Sequence, residues 1–433
     1  YWGNSCYGVE SASKKYFGKS VSELNLAQCA LLAGITNNPG KYNPYTEKGR
    51  ENAKKRQEII LGKMLELGKI SQEEYDKAIV ADLGYQLSEK SKNSVSIQSY
   101  FVDQVIVDVR DALVEERNIS PSLATQLIYN GGLEIHTTMD PKIQAAMDTV
   151  FTDDTYFPEG NESAKKYGEH AQAAMVILDP ENGQVKALYG GYGKKTASNT
   201  LNRASSSLMK RQPGSSFKPL SVYAPAIDLQ LVTPATIIDD VPVYMLTGSQ
   251  ANTAYPKNDD LQYDGLTSVR NGLKASVNVV AAIIWRDILG ADNSINYLKK
   301  VGIDRPDEKY VSLALGGLNE GVNPLQMAAA YVPFVHQGMY FEPSTITRVE
   351  DGNGNVIIEK KPKYEIVYSE EAASIMTNLL QEVTTGRNSA YHQGGTAASI
   401  INKNTIGMAV AGKTGTSNKN IDKWFVGFTP YYV

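Results

Sequence analysis

The sequence predicts an α+β fold, with helices packed on a mostly antiparallel sheet and an all-helical segment ahead of them. Three observations carry that prediction. The first ~85 residues repeat apolar positions at helical spacing. The stretch AAMVILDPENGQVKALYGG, residues 173–191, sets two β-rich runs on either side of Pro180-Glu181-Asn182-Gly183, a hairpin signal. After a mainly helical stretch from Gln212 to about Gly338, strand character returns in MAVAGKTGTSN and KWFVGFTPYYV. A strand hairpin, then helices, then strands again is the order of an α+β domain.

Taken in order, the elements follow from local chemistry. Ser22 is placed to cap a helix through Leu24, Leu26, Ala27, Ala30, Leu31 and Ala33, which Asn37-Asn38-Pro39-Gly40 ends. A charged helix runs from about Arg50 to Leu67 and stops at Gly68, and Ser71 with Glu74 forms a capping box for the next. Residues 86–94, QLSEKSKNS, read as a linker. SYFVDQVIVDVRDALVEE then aligns Phe101, Val105, Val109 and Leu113 along one side of a helix. Asn130-Gly131-Gly132 reads as a turn, LEIHTTMD alternates like a strand, and the polar residues 151–170 mark a second boundary. The expected division is 1–88, 89–168 and 169–433.

Bulk properties narrow the function. A chain of 433 residues exceeds one ordinary core. Its 43 basic and 47 acidic residues give a net charge of -4, and no basic stripe stands out, so a nucleic-acid partner is disfavoured. The longest apolar run, VVAAIIW at 279–285, is far below the ~18 residues a bilayer span requires, so the chain as given is expected to be soluble. The histidines, His136, His170, His336 and His392, show no ligand spacing, so no metal is expected. Cys6 and Cys29 cannot form a disulfide framework, although a single bridge stays open. No cofactor is implied.

With so few histidines, a serine nucleophile would rely on a lysine base. The spacing S-x-x-K occurs four times, from Ser11, Ser163, Ser207 and Ser215, so the surroundings must choose. Around Ser215 they do. Pro219 lacks an N–H and belongs in a helix's first turn, so the helix entering KPLSVYAPAID begins near Ser215 or Ser216, with Pro213-Gly214 as the bend. The Ser215 hydroxyl then lies at the positive end of a helix dipole, with Lys218 on nearly the same face. Lys218 needs burial or a second cation to bring its pKa below ~10.4. The pair Ser276 and Asn278 precedes an apolar helical run, and because S-x-N also occurs at Ser91 and Ser294, the spacing alone reads as a helix cap. Lys413-Thr414-Gly415 is unique and lies in a strand pattern, where glycine implies a close backbone approach or a turn.

The three motifs together, S-S-F-K at 215–218, S-V-N at 276–278 and K-T-G-T at 413–416, resemble the active-site set of penicillin-binding proteins and β-lactamases. NRASSSLMKRQPGSSFKP, LALGGLNEGVNPLQMAAAYVPFVHQG and DKWFVGFTP are similar to the class A penicillin-binding proteins, the bifunctional peptidoglycan synthases. YGVESASKKYFGK and LNLAQCALLAGITNNPGKYNP resemble the closing part of that family's lysozyme-like glycosyltransferase domain. The likeness covers nearly the whole chain and is weakest from about Lys92 to Glu169, where YNGGLEIHTTMDP carries it.

The resemblance implies that Ser215 attacks the carbonyl of a D-Ala-D-Ala stem peptide and that Lys218 accepts its proton. It implies that Ser276 relays a proton to the departing amine and that Asn278 holds the donor's amide and orients Lys218. Lys413 would supply the second charge, Thr414 and Thr416 would hold the substrate carboxylate, and Gly415 would let substrate lie along the strand edge. The amides of Ser215 and Thr416 would form the oxyanion hole. Implied partners are stem peptides, glycan strands, β-lactam antibiotics and other cell-wall synthesis proteins. The implied location is the extracytoplasmic face of the bacterial cytoplasmic membrane, reached through an anchor ahead of this chain. The family's two glycosyltransferase glutamates fall before Tyr1, and Glu10 and Glu23 do not match them, so this chain is expected to lack that activity. The last sheet strand and terminal helix of a transpeptidase are expected beyond Val433. A β-lactamase or carboxypeptidase would share the trio, but the 214 residues ahead of Ser215 argue against the first. A reading from another class is a non-catalytic scaffold or sensor that holds peptide or β-lactam without turnover.

Overall fold

The computed structural model describes residues 2–3, 6, 8–86, 97–157, 171–245, 248–386, 394–401 and 407–433. The expected linker at 86–94 beyond Gln86, most of the boundary at 151–170, the Ser163 motif, Ser91, His170 and His392 lie outside the described residues. The chain divides into two compact units, one of residues 1–97, 109–135 and 349–358, the other of 98–108, 136–348 and 359–433.

The first unit is built on helices Val9–Phe17, Leu26–Ile35, Glu47–Glu66 and Gln72–Val80. Its core gathers Ala12, Tyr16, Phe17, Leu31, Ile35 and Leu61, all fully buried. Ser71 and Glu74 complete the expected capping box, and the charged helix ends at Glu66 ahead of Gly68. One cap differs from expectation. Ser22 sits in a short 3-10 turn, Val21–Glu23, while the carboxamide of Asn25 accepts from the Gln28 amide and starts the next helix. Asn25 wins because it immediately precedes the first helical residue, where a side-chain acceptor satisfies an otherwise unpaired N–H.

In the second unit the foreseen hairpin pairs Met175–Leu178 with Val185–Tyr189, antiparallel, and its turn is closed by the Gly183 amide donating to the Asp179 carbonyl at 2.9 Å. The late strands are Ala411–Thr416 and Lys423–Phe428, also antiparallel, with Lys413 opposite Val426 and Gly415 opposite Trp424. Leu178 and Val433 exchange both backbone hydrogen bonds, at 2.9 and 3.0 Å, which joins the two hairpins. Between them the chain is helical, as expected, and VVAAIIW is a core helix whose Val279, Val280, Ala281 and Ala282 are fully buried. Ile237–Asp240 and Gly265–Ser268 depart from the helical expectation by pairing as a two-stranded sheet. A further helix, Glu370–Thr385, packs behind the Ala411–Thr416 strand, with the Thr384 hydroxyl donating to the Val410 carbonyl at 2.5 Å. Among the described residues, no helix is long and apolar enough to cross a membrane.

Candidate active site

Ser215 lies in a 3-10 turn, Gly214–Phe217, that continues through a wide-turned segment Pro219–Tyr223 into the helix Ala224–Asp228. The bend before it rests on glycine. Gly214 has φ 54°, and a Cβ there would lie 2.3 Å from the Thr416 carbonyl oxygen. Only a residue without a side chain lets the turn and the strand approach so closely. Upstream, Arg211 exchanges two backbone hydrogen bonds with Val322, at 2.9 and 2.8 Å. The Gln212 side chain accepts from the Leu318 amide at 2.7 Å and donates to the Leu318 carbonyl. The approach to Ser215 is therefore held on both sides.

Burial separates this serine–lysine pair from its look-alikes. Lys14 is exposed and paired with Glu10 at 3.0 Å, and Lys210 is exposed and paired with Glu320 at 2.7 Å. Lys218 is completely buried. Its ammonium donates to the Ser276 carbonyl at 2.6 Å, the Asn278 Oδ1 at 2.8 Å and the Ser276 Oγ at 3.3 Å. Lys413, also completely buried, donates to the Ser276 Oγ at 2.9 Å and the Thr414 carbonyl at 3.1 Å. Ser276 is thus shared between two lysines, and its own proton is left for another acceptor. Neither lysine makes an ion pair among the described residues.

Two buried ammonium groups without a carboxylate partner are costly, and the cost appears as lowered pKa values. Burial first, then the charge of Lys413, pushes Lys218 well below the ordinary lysine value, and Asp259 offsets this in part. Burial alone brings Lys413 to about 7. Both lysines therefore give up a proton more readily than an exposed lysine, and Lys218, which also meets the Lys413 charge, is the one fitted to act as a base.

Ser276 and Asn278 do not act as the helix cap their spacing suggests. The helix Asn278–Ile283 has Val277 at its N-cap position, with no side-chain cap. Ser276 instead adopts φ 61°, a conformation that serine rarely takes, and this aims both its carbonyl and its hydroxyl at the lysines. Gly415 does mark a close approach, but the approaching backbone belongs to the chain itself. A Cβ there would lie 2.2 Å from the Pro213 carbonyl oxygen.

Ser215, Ser276, Asn278, Thr414, Gly415 and Thr416 line one cleft, and the two buried lysines hydrogen-bond to Ser276, Asn278 and Thr414 of that lining. All eight residues singled out from the sequence are thereby brought together. The sequence reading missed Thr396, whose hydroxyl shares a 2.6 Å hydrogen bond with that of Thr414, and the pair Asp240 and Asn258 behind Asn278. No motif announces them, since Thr396 and Asn258 reach the site from loops and Asp240 from the end of the Ile237–Asp240 strand. Among the described residues, no cluster of histidine, cysteine and carboxylate side chains could hold a metal ion.

Comparison with known proteins gives the same picture. A family profile described as the penicillin binding protein transpeptidase domain matches residues 173–432, and one described as transglycosylase matches residues 1–65. Penicillin-binding protein 1A of Clostridium botulinum (strain Langeland) is 36% identical over 446 residues, which take in 100% of this chain and 52% of that protein. Penicillin-binding protein 1F of Bacillus subtilis is 32% identical over 437 residues, covering 99% and 55%. The chain thus spans about half the length of the curated relatives it matches. Penicillin-binding protein 1A from Haemophilus influenzae shares the fold at a TM-score of 0.71 and 23% identity, over 99% of this chain and 77% of that one. PonA1 from Mycobacterium tuberculosis, solved in complex with penicillin V, aligns at a TM-score of 0.55 and 21% identity, over 76% and 82%.

Proposed function

Because the chain belongs to the family of penicillin-binding protein transpeptidase domains, we propose that it is a serine D,D-transpeptidase of peptidoglycan synthesis. Residues 169–433 carry the reaction, 89–168 link, and 1–88 close a glycosyltransferase domain whose chemistry belongs to a longer parent at the outer face of the cytoplasmic membrane. The observation that carries the reading is the pair of fully buried, unneutralised lysines around Ser276, which lines the cleft that holds Ser215. A protein that only bound peptide would gain nothing from burying them.

In the first half-reaction, neutral Lys218 accepts the Ser215 proton as Oγ attacks the carbonyl carbon of the penultimate D-alanine. The oxyanion forms against the amides of Ser215 and Thr416. The C–N bond then breaks, and a proton passes through the Ser276 hydroxyl to the leaving D-alanine nitrogen. An acceptor amine attacks the resulting ester, gives up its proton along the same route and regenerates Ser215. A β-lactam follows the first half only, because its ring nitrogen stays tethered after the C–N bond opens. Thr414 and Thr416 hold the carboxylate that peptide and drug share.

A thioester analogue of an acyl-D-Ala-D-Ala peptide tests this reading. The chain should release thiol, and added D-amino acid should divert product from hydrolysis to transfer. The Ser215→Ala variant should do neither. Binding without thiol release would establish the scaffold or sensor reading instead.

A further inference from the structure

The helix that presents Asn278 has no cap of its own, and its first amides are satisfied from elsewhere. Asn258, 6% exposed, places its Oδ1 to accept from the Asn278 amide at 3.0 Å and the Val279 amide at 3.1 Å. Its Nδ2 donates to both oxygens of Asp240, at 2.8 and 3.0 Å, and to the Gln262 carbonyl at 2.8 Å. Asp240 is 1% exposed and also accepts from the Asp264 amide at 3.0 Å. Among the described residues it has no cationic partner.

A buried carboxylate held by neutral donors is an expensive way to fix one amide. What it fixes explains the expense. The residue before Asn258, Lys257, accepts from the Asn278 Nδ2 at 2.8 Å through its carbonyl. A carboxamide has one donor end and one acceptor end. With Nδ2 committed to Lys257, Oδ1 must face Lys218, where it accepts at 2.8 Å. The loop thus grips Asn278 by its backbone and its side chain together.

We propose that Asp240 and Asn258 are positioning residues for acylation, setting the amide orientation of Asn278 and through it the place of the Lys218 amine. The proposal rests on the acylation of Ser215 put forward above. It accounts for the burial of Asp240 beside a site that needs no carboxylate of its own, and it makes the rate depend on two residues that take no part in proton transfer.

The test is the concentration dependence of acylation by a fluorescent penicillin, which separates initial binding from the first-order step. Counts of active sites are taken alongside. Asn258→Ala, or Asn258→Ser if the alanine variant does not fold, should slow the first-order step per active site about tenfold or more, with initial binding changed less than about threefold. Asn258→Asp sets two carboxylates together and should be slower still. Adding Asp240→Asn should recover most of that loss, because amide and carboxylate have then exchanged places. A purely structural role would lower the number of active sites and leave the per-site step at its wild-type value. That result, or failure of Asp240→Asn to rescue Asn258→Asp, overturns the proposal. Labelling that survives Ser215→Ala, or a folded wild-type chain that never labels, overturns the functional reading instead and takes the proposal with it.

Discussion

Ser276 holds φ 61° while its hydroxyl and carbonyl serve two buried lysines, and the two costs can be separated by substitution. Glycine removes the backbone strain and alanine keeps it, while both remove the hydroxyl. Ser276→Gly should therefore be more stable than Ser276→Ala by about 1 kcal/mol in urea unfolding, with acylation lowered in both by about a hundredfold. Equal stability would remove the strain argument. The lysines make a second prediction. Lys218 lies below its ordinary value through burial and the Lys413 charge, so the acylation rate should rise with pH through a value well below ~10.4. Lys413→Met removes the neighbouring cation, which raises the Lys218 pKa and moves that limb to higher pH. A limb that stays put or moves down would deny the coupling. Lys413 also affects stability. Its folded value of about 7 lies below the unfolded one, so the unfolded chain binds more protons between them and stability rises with pH from about 7 upward. Lys413→Met should flatten that rise in denaturant midpoints measured at pH 7 and 9.

The nucleophile's turn and the Ala411–Thr416 strand meet through glycines on both sides, so the elements test each other. A Cβ on Gly415 would lie 2.2 Å from the Pro213 carbonyl oxygen and 2.9 Å from the Ser216 amide nitrogen. Backbone cannot swing aside as a side chain can. Gly415→Ala should therefore cost about 1–3 kcal/mol of stability and slow acylation more than tenfold, measured by urea melts and penicillin labelling. A variant as stable and as fast as wild type would show that this contact does not set the strand's position. The elements also divide by legibility. The hairpin across Asn182-Gly183, the helix with Phe101, Val105, Val109 and Leu113 buried on one side, and the strand with Lys413 were readable because their signals are local and periodic. The pairing of Ile237–Asp240 with Gly265–Ser268 was not. IIDD has no alternation, GLTS opens on glycine, and the partners are too far apart for a turn signal to join them. The cap of the Asn278 helix was hidden for the same reason, since capping rules look at the adjacent residue and Asn258 reaches it from twenty positions away.

Two compact units, one matching the transglycosylase profile over residues 1–65 and the other holding the whole cleft, should melt as two transitions. A penicillin adduct should raise only the transition of the unit that holds the cleft, and neither transition in Ser215→Ala, read by differential scanning calorimetry. A single transition, or a shift of both, would mean that the units unfold together. At this scale the motifs pointed to the chemistry because Ser215 and Lys413 sit in distinctive local settings and Ser276 gained meaning only alongside them, but how they meet depended on contacts that only the folded chain supplies. The most direct test of the account is to treat the intact chain with penicillin, digest it and locate the adduct by mass spectrometry. The account predicts one drug per chain, on the Ser215 hydroxyl, and none in folded Ser215→Ala or Lys218→Ala. An adduct on another residue, or a folded wild-type chain that remains unmodified, would contradict it.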